Sequence, residues 1–77
     1  MAQDPWYDGT AQRWHRRAAG LSGAALARQV GCSHQHLSGI ESGQWQPSEA
    51  LAAAIAKALR VKISDLMTPI YVKENAR

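Results

Sequence analysis

Hydrophobic residues recur three and four positions apart through most of the chain, which is the spacing expected of helices with one buried face. The longest stripe lies in an alanine-rich segment after Ser48 and consists of Leu51, Ile55, Ala58 and Leu59. Leu37 and Ile40 give residues 34–41 an inner face of the same kind. Residues 70–73 differ, because their β-branched and aromatic side chains favour a short strand or an extended tail. The pattern predicts an all-α domain.

Residues that favour helix ends divide the chain into five helical segments. The expected capping residues are Asp8 or Thr10, Ser22, Ser33 and Ser48. Each can accept a hydrogen bond from a free N–H in the first turn. Glycine at positions 20 and 31 tolerates the left-handed conformation that ends the first two helices. Residues 64–67 give a last helical turn, which Pro69 ends.

Composition narrows the class of protein. A chain of 77 residues is a single domain with a small core, and the single cysteine excludes a disulfide framework or a cysteine-rich zinc module. No stretch approaches the length of a membrane span, and residues 1–6 lack the segments of a signal peptide. We therefore expect a cytoplasmic, nucleoid-associated domain without cofactor or metal. The formal charge of +3 favours a polyanionic partner.

Residues 26–40 carry the most informative spacing. Two short helices that meet near a right angle need a small residue where their backbones approach and a residue tolerant of positive φ in the turn. Ala27 and Gly31 occupy these two places, four positions apart. Leu26, Val30, Cys32, Leu37 and Ile40 are the flanking apolar residues. Together they predict a helix-turn-helix, with Cys32 as a small buried hydrophobic residue rather than a redox switch.

With these residues the chain resembles the lambda-repressor-like, or Xre/Cro-type, helix-turn-helix family over residues 10–67. The likeness extends to Ile40-Glu41-Ser42-Gly43, Pro47-Ser48, the helix around Ile55, and Asp65-Leu66. It implies a compact five-helix domain, which we place at residues 10–68. The residues outside it predict an N-terminal arm at 1–9, interrupted by Pro5 and Gly9, and a tail at 69–77. It also implies a regulator that binds operator DNA, often as a dimer.

The resemblance places the DNA-reading helix at residues 34–41, in the major groove. The residues expected to contact base edges are His34, Gln35, Ser38 and Gly39. Gln35 suits adenine N6 and N7, and His34 can donate to guanine. The residues expected to contact phosphates are Arg13, Arg16, Arg17, Ser33, His36, Ser42, Gln44 and Trp45.

Three departures separate this sequence from the usual family pattern. Gly23 replaces the glutamine common at the start of the first motif helix, and residues 44–46 carry no cation where the family loop is usually basic. Gln12 and His15 occupy places in the first helix that are usually aliphatic. We expect Trp14 to turn inward in their place.

The sequence thus predicts a transcriptional regulator, a repressor that binds a palindromic double-stranded operator as a homodimer. Residues 70–73 are the expected dimer strand. One alternative is a protein-interaction module in which Trp6, Trp45 and the tail form the binding surface. Another is an antitoxin that binds both DNA and a toxin; polymerase is a further possible protein partner. We expect no enzyme, because no nucleophile stands with a base and an orienting acid.

Overall fold

A computed structural model describes residues 6–67 of the chain. Its elements are α1 (Gly9–Ala18), α2 (Gly23–Val30), α3 (His34–Glu41), α4 (Glu49–Leu59) and a 3-10 turn (Ile63–Leu66). The predicted fifth helix is therefore a 3-10 turn. The predicted strand at residues 70–73 and the tail lie outside the described residues. Within residues 6–67, no helix is long and apolar enough to cross a membrane.

The predicted capping residues begin the helices. Asp8 accepts hydrogen bonds from the N–H groups of Thr10 and Ala11 at 3.0 and 3.2 Å. The Ser22, Ser33 and Ser48 hydroxyls each accept one from the residue three positions later, at 3.0 to 3.1 Å. Such caps satisfy N–H groups that have no partner within the helix. The helix starts are therefore fixed by local sequence.

The core lies where the four helices and the 3-10 turn meet. Its buried members are Tyr7, Leu26, Ala27, Leu37, Ile40, Ala52, Ile55, Ala56, Leu59 and Leu66. In α4 the buried face is Ala52, Ile55, Ala56 and Leu59, whereas the predicted residues Leu51 and Ala58 are only partly buried. The buried face is thus rotated from the predicted one, toward Ala52 and Ala56.

The end of the predicted N-terminal arm packs against this core. Tyr7 is only 2% exposed and pairs with Met67 in an isolated antiparallel bridge. The Asp8 N–H donates to the Leu66 carbonyl oxygen at 2.7 Å, which joins the arm to the end of the domain. The ring of Trp6 lies edge-on to Tyr7. Residues 6–8 therefore complete the core beside α1.

Helix α1 has a different register from the expected one. Gln12 is fully buried, whereas Trp14 is 70% exposed. The expectation that Trp14 turns inward is wrong, because Tyr7 fills the core beside α1 and bonds to Gln12. Trp14 lies on the outer face of α1.

Candidate nucleic-acid interface

The relative orientation of α2 and α3 is fixed by the turn between them. Gly31 has φ of 79°, the left-handed conformation that glycine adopts without strain. The N–H groups of Gly31 and Cys32 both donate to the Ala27 carbonyl oxygen, at 2.9 and 3.0 Å. Leu37 and Ile40 anchor α3 in the core. This arrangement is the predicted helix-turn-helix.

The outer face of α3 is polar and open. Its exposed residues are His34, Gln35, His36 and Ser38, with Ser33 just before the helix. The Ser33 hydroxyl accepts from the His36 N–H, and its own hydrogen stays available to an acceptor. Because the inner face is held by Leu37 and Ile40, these polar side chains project from a rigid support.

A groove of about 230 Å³ separates the first turn of α3 from α1. Its lining residues are Arg13, Arg16, Arg17, Gly23, His34, Leu37, Ser38 and Glu41. A Cβ atom on Gly23 would lie 2.9 Å from Nε2 of His34, so the glycine leaves space for the imidazole. The departure at position 23 thus places His34 over the start of α2. Arg13 and Arg17 provide exposed positive charge beside it.

Arg16 lines this groove but is largely buried. Its guanidinium donates to Glu41 through Nε and Nη2, at 2.7 and 3.2 Å, and to the Leu21 carbonyl oxygen at 2.8 Å. Its side chain is only 13% exposed. The predicted phosphate contact of Arg16 does not fit this geometry, since each nitrogen of the guanidinium already has an acceptor inside the domain.

Glu41 is the centre of a buried polar network that the sequence did not reveal. The Tyr7 hydroxyl donates to Gln12 Oε1 at 2.6 Å, and Gln12 Nε2 donates to Glu41 at 2.9 Å. Nε of Arg13 also donates to Glu41, at the longer distance of 3.4 Å. The network joins the N-terminal arm and α1 to the last residue of α3, and so fixes that helix against the domain. The four-residue interval between Gln12 and Arg16, which puts both on one helix face, was the available signal.

The network determines the ionisation of two residues. Burial would raise the pKa of Glu41, but hydrogen bonds from Arg16 and Gln12, with the charge of Arg16, hold that pKa below its usual value. Burial raises the pKa of Tyr7, and the charges of Glu41 and Asp8 raise it further. Glu41 is therefore ionised and Tyr7 neutral at neutral pH, which matches the donors and acceptors of the network.

The loop after α3 covers part of that helix. Gly39 is buried, and the indole ring of Trp45 lies against its Cα. The predicted base contact of Gly39 does not fit this geometry, because Trp45 stands between it and solvent. The Ser42 hydroxyl donates to the Gly39 carbonyl oxygen at 3.0 Å. Ser42, Gln44 and Trp45 remain at the exposed edge of α3.

Residues 6–67 contain no group of three His, Cys, Asp or Glu side chains that could hold a metal ion. Cys32 is half-buried, and burial raises the pKa of its thiol. A raised pKa lowers the thiolate fraction and hence reactivity. This fits the packing role expected of Cys32.

Comparison with known proteins relates this geometry to a family. A model described as "Helix-turn-helix domain" matches residues 11–67. An uncharacterized HTH-type transcriptional regulator of Methanothermobacter thermautotrophicus is 42% identical over 55 residues, which cover 70% of this chain and 80% of that protein.

Two solved structures share the fold. The restriction-modification controller protein C.AhdI of Aeromonas hydrophila has a TM-score of 0.71 and 32% identity, covering 74% of this chain and 86% of that one. The P22 c2 repressor, solved in complex with a synthetic operator, has a TM-score of 0.69 and 29% identity. The match covers 71% of this chain and 83% of that one. The chain belongs to the helix-turn-helix domain family, among its lambda-repressor-like, Xre-type regulators.

Proposed function

We propose that this regulator represses transcription by binding a palindromic double-stranded operator as a homodimer, with α3 in the major groove. The observation that carries the proposal is the open polar face of α3, held rigidly by Leu37 and Ile40. A helix in the major groove reads sequence with side chains near its N-terminus. The operator complex of the P22 c2 repressor supports the same role for this fold.

Each exposed residue has a role in this mechanism. Gln35 and His34 are the proposed base readers, with Ser38 one turn further along α3. Arg13 and Arg17 supply positive charge for the phosphates. Further phosphate contacts are proposed for Ser33, His36 and Gln44, whereas the Ser42 hydroxyl already donates its hydrogen to the Gly39 carbonyl oxygen. Phosphate contacts hold the protein in register, and base contacts give the sequence preference.

The test is a selection of bound duplexes from a random pool at about 100 mM salt, with the full chain as the bait. We expect an enriched palindrome whose half-sites lie about one helical turn, roughly 34 Å, apart. Sedimentation of the complex should give two protomers per duplex. Weak binding with no enriched sequence would contradict the proposal.

Replacing Gln35 by alanine is expected to relax the preference at one base pair of each half-site. The loss should be about 1–3 kcal/mol against the preferred base, because a bidentate contact to adenine disappears. The measurement is the affinity of the variant for every single-base substitution of the selected operator. If all substitutions rank as they do for the original protein, Gln35 does not read a base.

Replacing Arg17 by alanine is expected to weaken binding to all sequences alike. Loss of one phosphate contact in each protomer should make the slope of log K against log salt shallower by roughly 0.9 per contact. Titrations of the operator and of an unrelated duplex at several salt concentrations measure this slope. A loss confined to the operator would instead make Arg17 a base reader.

A protein-interaction module is the second candidate function. The observation in its favour is Trp14, which is 70% exposed on the outer face of α1, because tryptophan is enriched in the energetic centres of protein interfaces. Trp6 packs against the core and so is a poor anchor for a partner. The duplex selection separates the two functions, since an interaction module enriches no sequence.

A further inference from the structure

Gly39 and Trp45 form a pair on the exposed side of α3. A Cβ atom on Gly39 would collide with Cδ1 and Nε1 of the Trp45 ring, so the indole occupies the space a side chain at position 39 would take. The reading helix has no side chain at this place. The loop after α3 places the Trp45 side chain there instead.

The loop holds the indole in this position through its main chain. The N–H groups of Gln44 and Trp45 both donate to the Gly39 carbonyl oxygen, at 2.8 and 3.2 Å, and the Ser42 hydroxyl adds a third bond. Gly43 has φ of 87°, which lets the chain turn back toward the helix. The position of the ring is therefore set by the fold of the loop.

The remaining surface of Trp45 faces the proposed DNA side. The residue is 51% exposed, although its ring lies against the helix. The atoms nearest to Gly39 belong to the five-membered ring, so the apolar six-membered ring extends away from it. Trp45 borders an open groove of about 420 Å³ together with Ser33, Gln35, His36 and Gln44. An apolar surface thus lies beside the proposed base reader Gln35.

We propose that Trp45 is a specificity-determining residue that contacts the C5-methyl group of a thymine in the major groove. This inference rests on the proposed function, since it requires α3 to lie in that groove. The thymine methyl is the apolar feature among the base edges presented there. The indole N–H, which is the donor of the ring, lies against Gly39, so the exposed apolar surface suits a methyl group better than the DNA backbone.

The test replaces each thymine of the selected operator in turn by deoxyuridine, which removes only the methyl group. For the original protein we expect one position in each half-site at which binding weakens about three- to fivefold, the effect of burying roughly one methyl group. For Trp45→Ala this position should become insensitive to the change. Deoxyuridine at the other thymines should affect both proteins equally.

Two further variants distinguish a direct contact between Trp45 and the thymine methyl from a general effect of substitution. Gly39→Ala keeps Trp45 but places a methyl group where the indole lies, and alanine favours the helix. It should abolish sensitivity to the same thymine methyl while the domain stays folded by circular dichroism. Trp14→Ala removes an exposed tryptophan from the outer face of α1 and should leave the sensitivity unchanged.

The outcomes are distinct. An enriched operator at which no methyl removal weakens binding, or an operator without thymine, overturns the assignment and leaves the proposed function intact. Methyl sensitivity that persists in Trp45→Ala and Gly39→Ala assigns the contact to another residue and also overturns it. Absence of any enriched operator overturns the proposed function itself and this inference with it.

Discussion

Replacing Arg16 by alanine is expected to lower the free energy of unfolding by about 3–5 kcal/mol, because it leaves a carboxylate buried without its main cation. Nε of Arg16 lies 2.7 Å from Glu41, whose side chain is only 6% exposed. Arg13 cannot compensate, since it is 48% exposed and its Nε lies 3.4 Å from Glu41. The loss is comparable to the whole stability of a small domain.

Urea denaturation measures this effect, with Arg17→Ala as the matched control. Arg17 lies one residue further along α1, is exposed, and bonds to none of the side chains in residues 6–67. Its replacement should change stability by less than about 0.5 kcal/mol. An unchanged midpoint for Arg16→Ala, together with weaker binding to every duplex, would show that Arg16 contacts phosphate after all.

The same network predicts how stability depends on acid. The pKa of Glu41 is lower in the folded protein than in an unfolded chain, where it is about 4.3. Its contribution is therefore present above about pH 4.3 and is lost as the pH falls through the folded value. Urea titrations at several pH values measure the free energy of unfolding. For Glu41→Gln this free energy should lack the part of the decrease at low pH that comes from protonation of Glu41.

Replacing Gly9 by alanine is expected to destabilise the domain by about 1–3 kcal/mol or more, because the new methyl group has no space. It would lie too close to the main-chain carbonyl oxygens of Ile40 and Glu41. Main-chain atoms at the end of α3 cannot rotate away as a side chain can. The start of α1 would have to separate from α3, which would also disturb the bonds to Glu41.

Gly23→Ala is the matched control, since Gly23 is also the first residue of a helix. Its new methyl group would meet only the end of the His34 side chain, at 2.9 Å from Nε2, and that side chain can turn toward solvent. We expect its stability to be unchanged or higher, because alanine favours the helix by about 1 kcal/mol over glycine. Equal thermal midpoints for the two variants would contradict this account of Gly9.

The helix-turn-helix could be predicted from sequence because its determinants are local. Ser22 and Ser33 cap helices with bonds to residues three positions away, and Gly31 turns the chain within one residue. The buried face of α4 was predicted less well. Alanines lie on all sides of this helix, so its buried and exposed positions differ little in hydrophobicity. Residues 34–41 were correctly predicted as α3.

The errors arose at tertiary contacts, which helix periodicity does not show. Gln12 is buried because Tyr7 reaches it from the arm and Glu41 from the end of α3, a separation of 29 positions. The family resemblance predicts a phosphate contact for Arg16, although the acceptors of its guanidinium lie inside the domain. Gly39 was predicted to be accessible because the sequence does not show that Trp45 folds back over it. Apart from the four-residue interval between Gln12 and Arg16, these contacts leave no mark in the hydrophobic pattern of the sequence.

A comparison of two affinities shows whether α3 reads DNA sequence. The full chain is titrated with the selected operator and with a duplex of the same composition in shuffled order, at about 100 mM salt. We expect the operator to bind at least about a thousandfold more tightly than the shuffled duplex. Equal affinities for the two duplexes would contradict this role of α3.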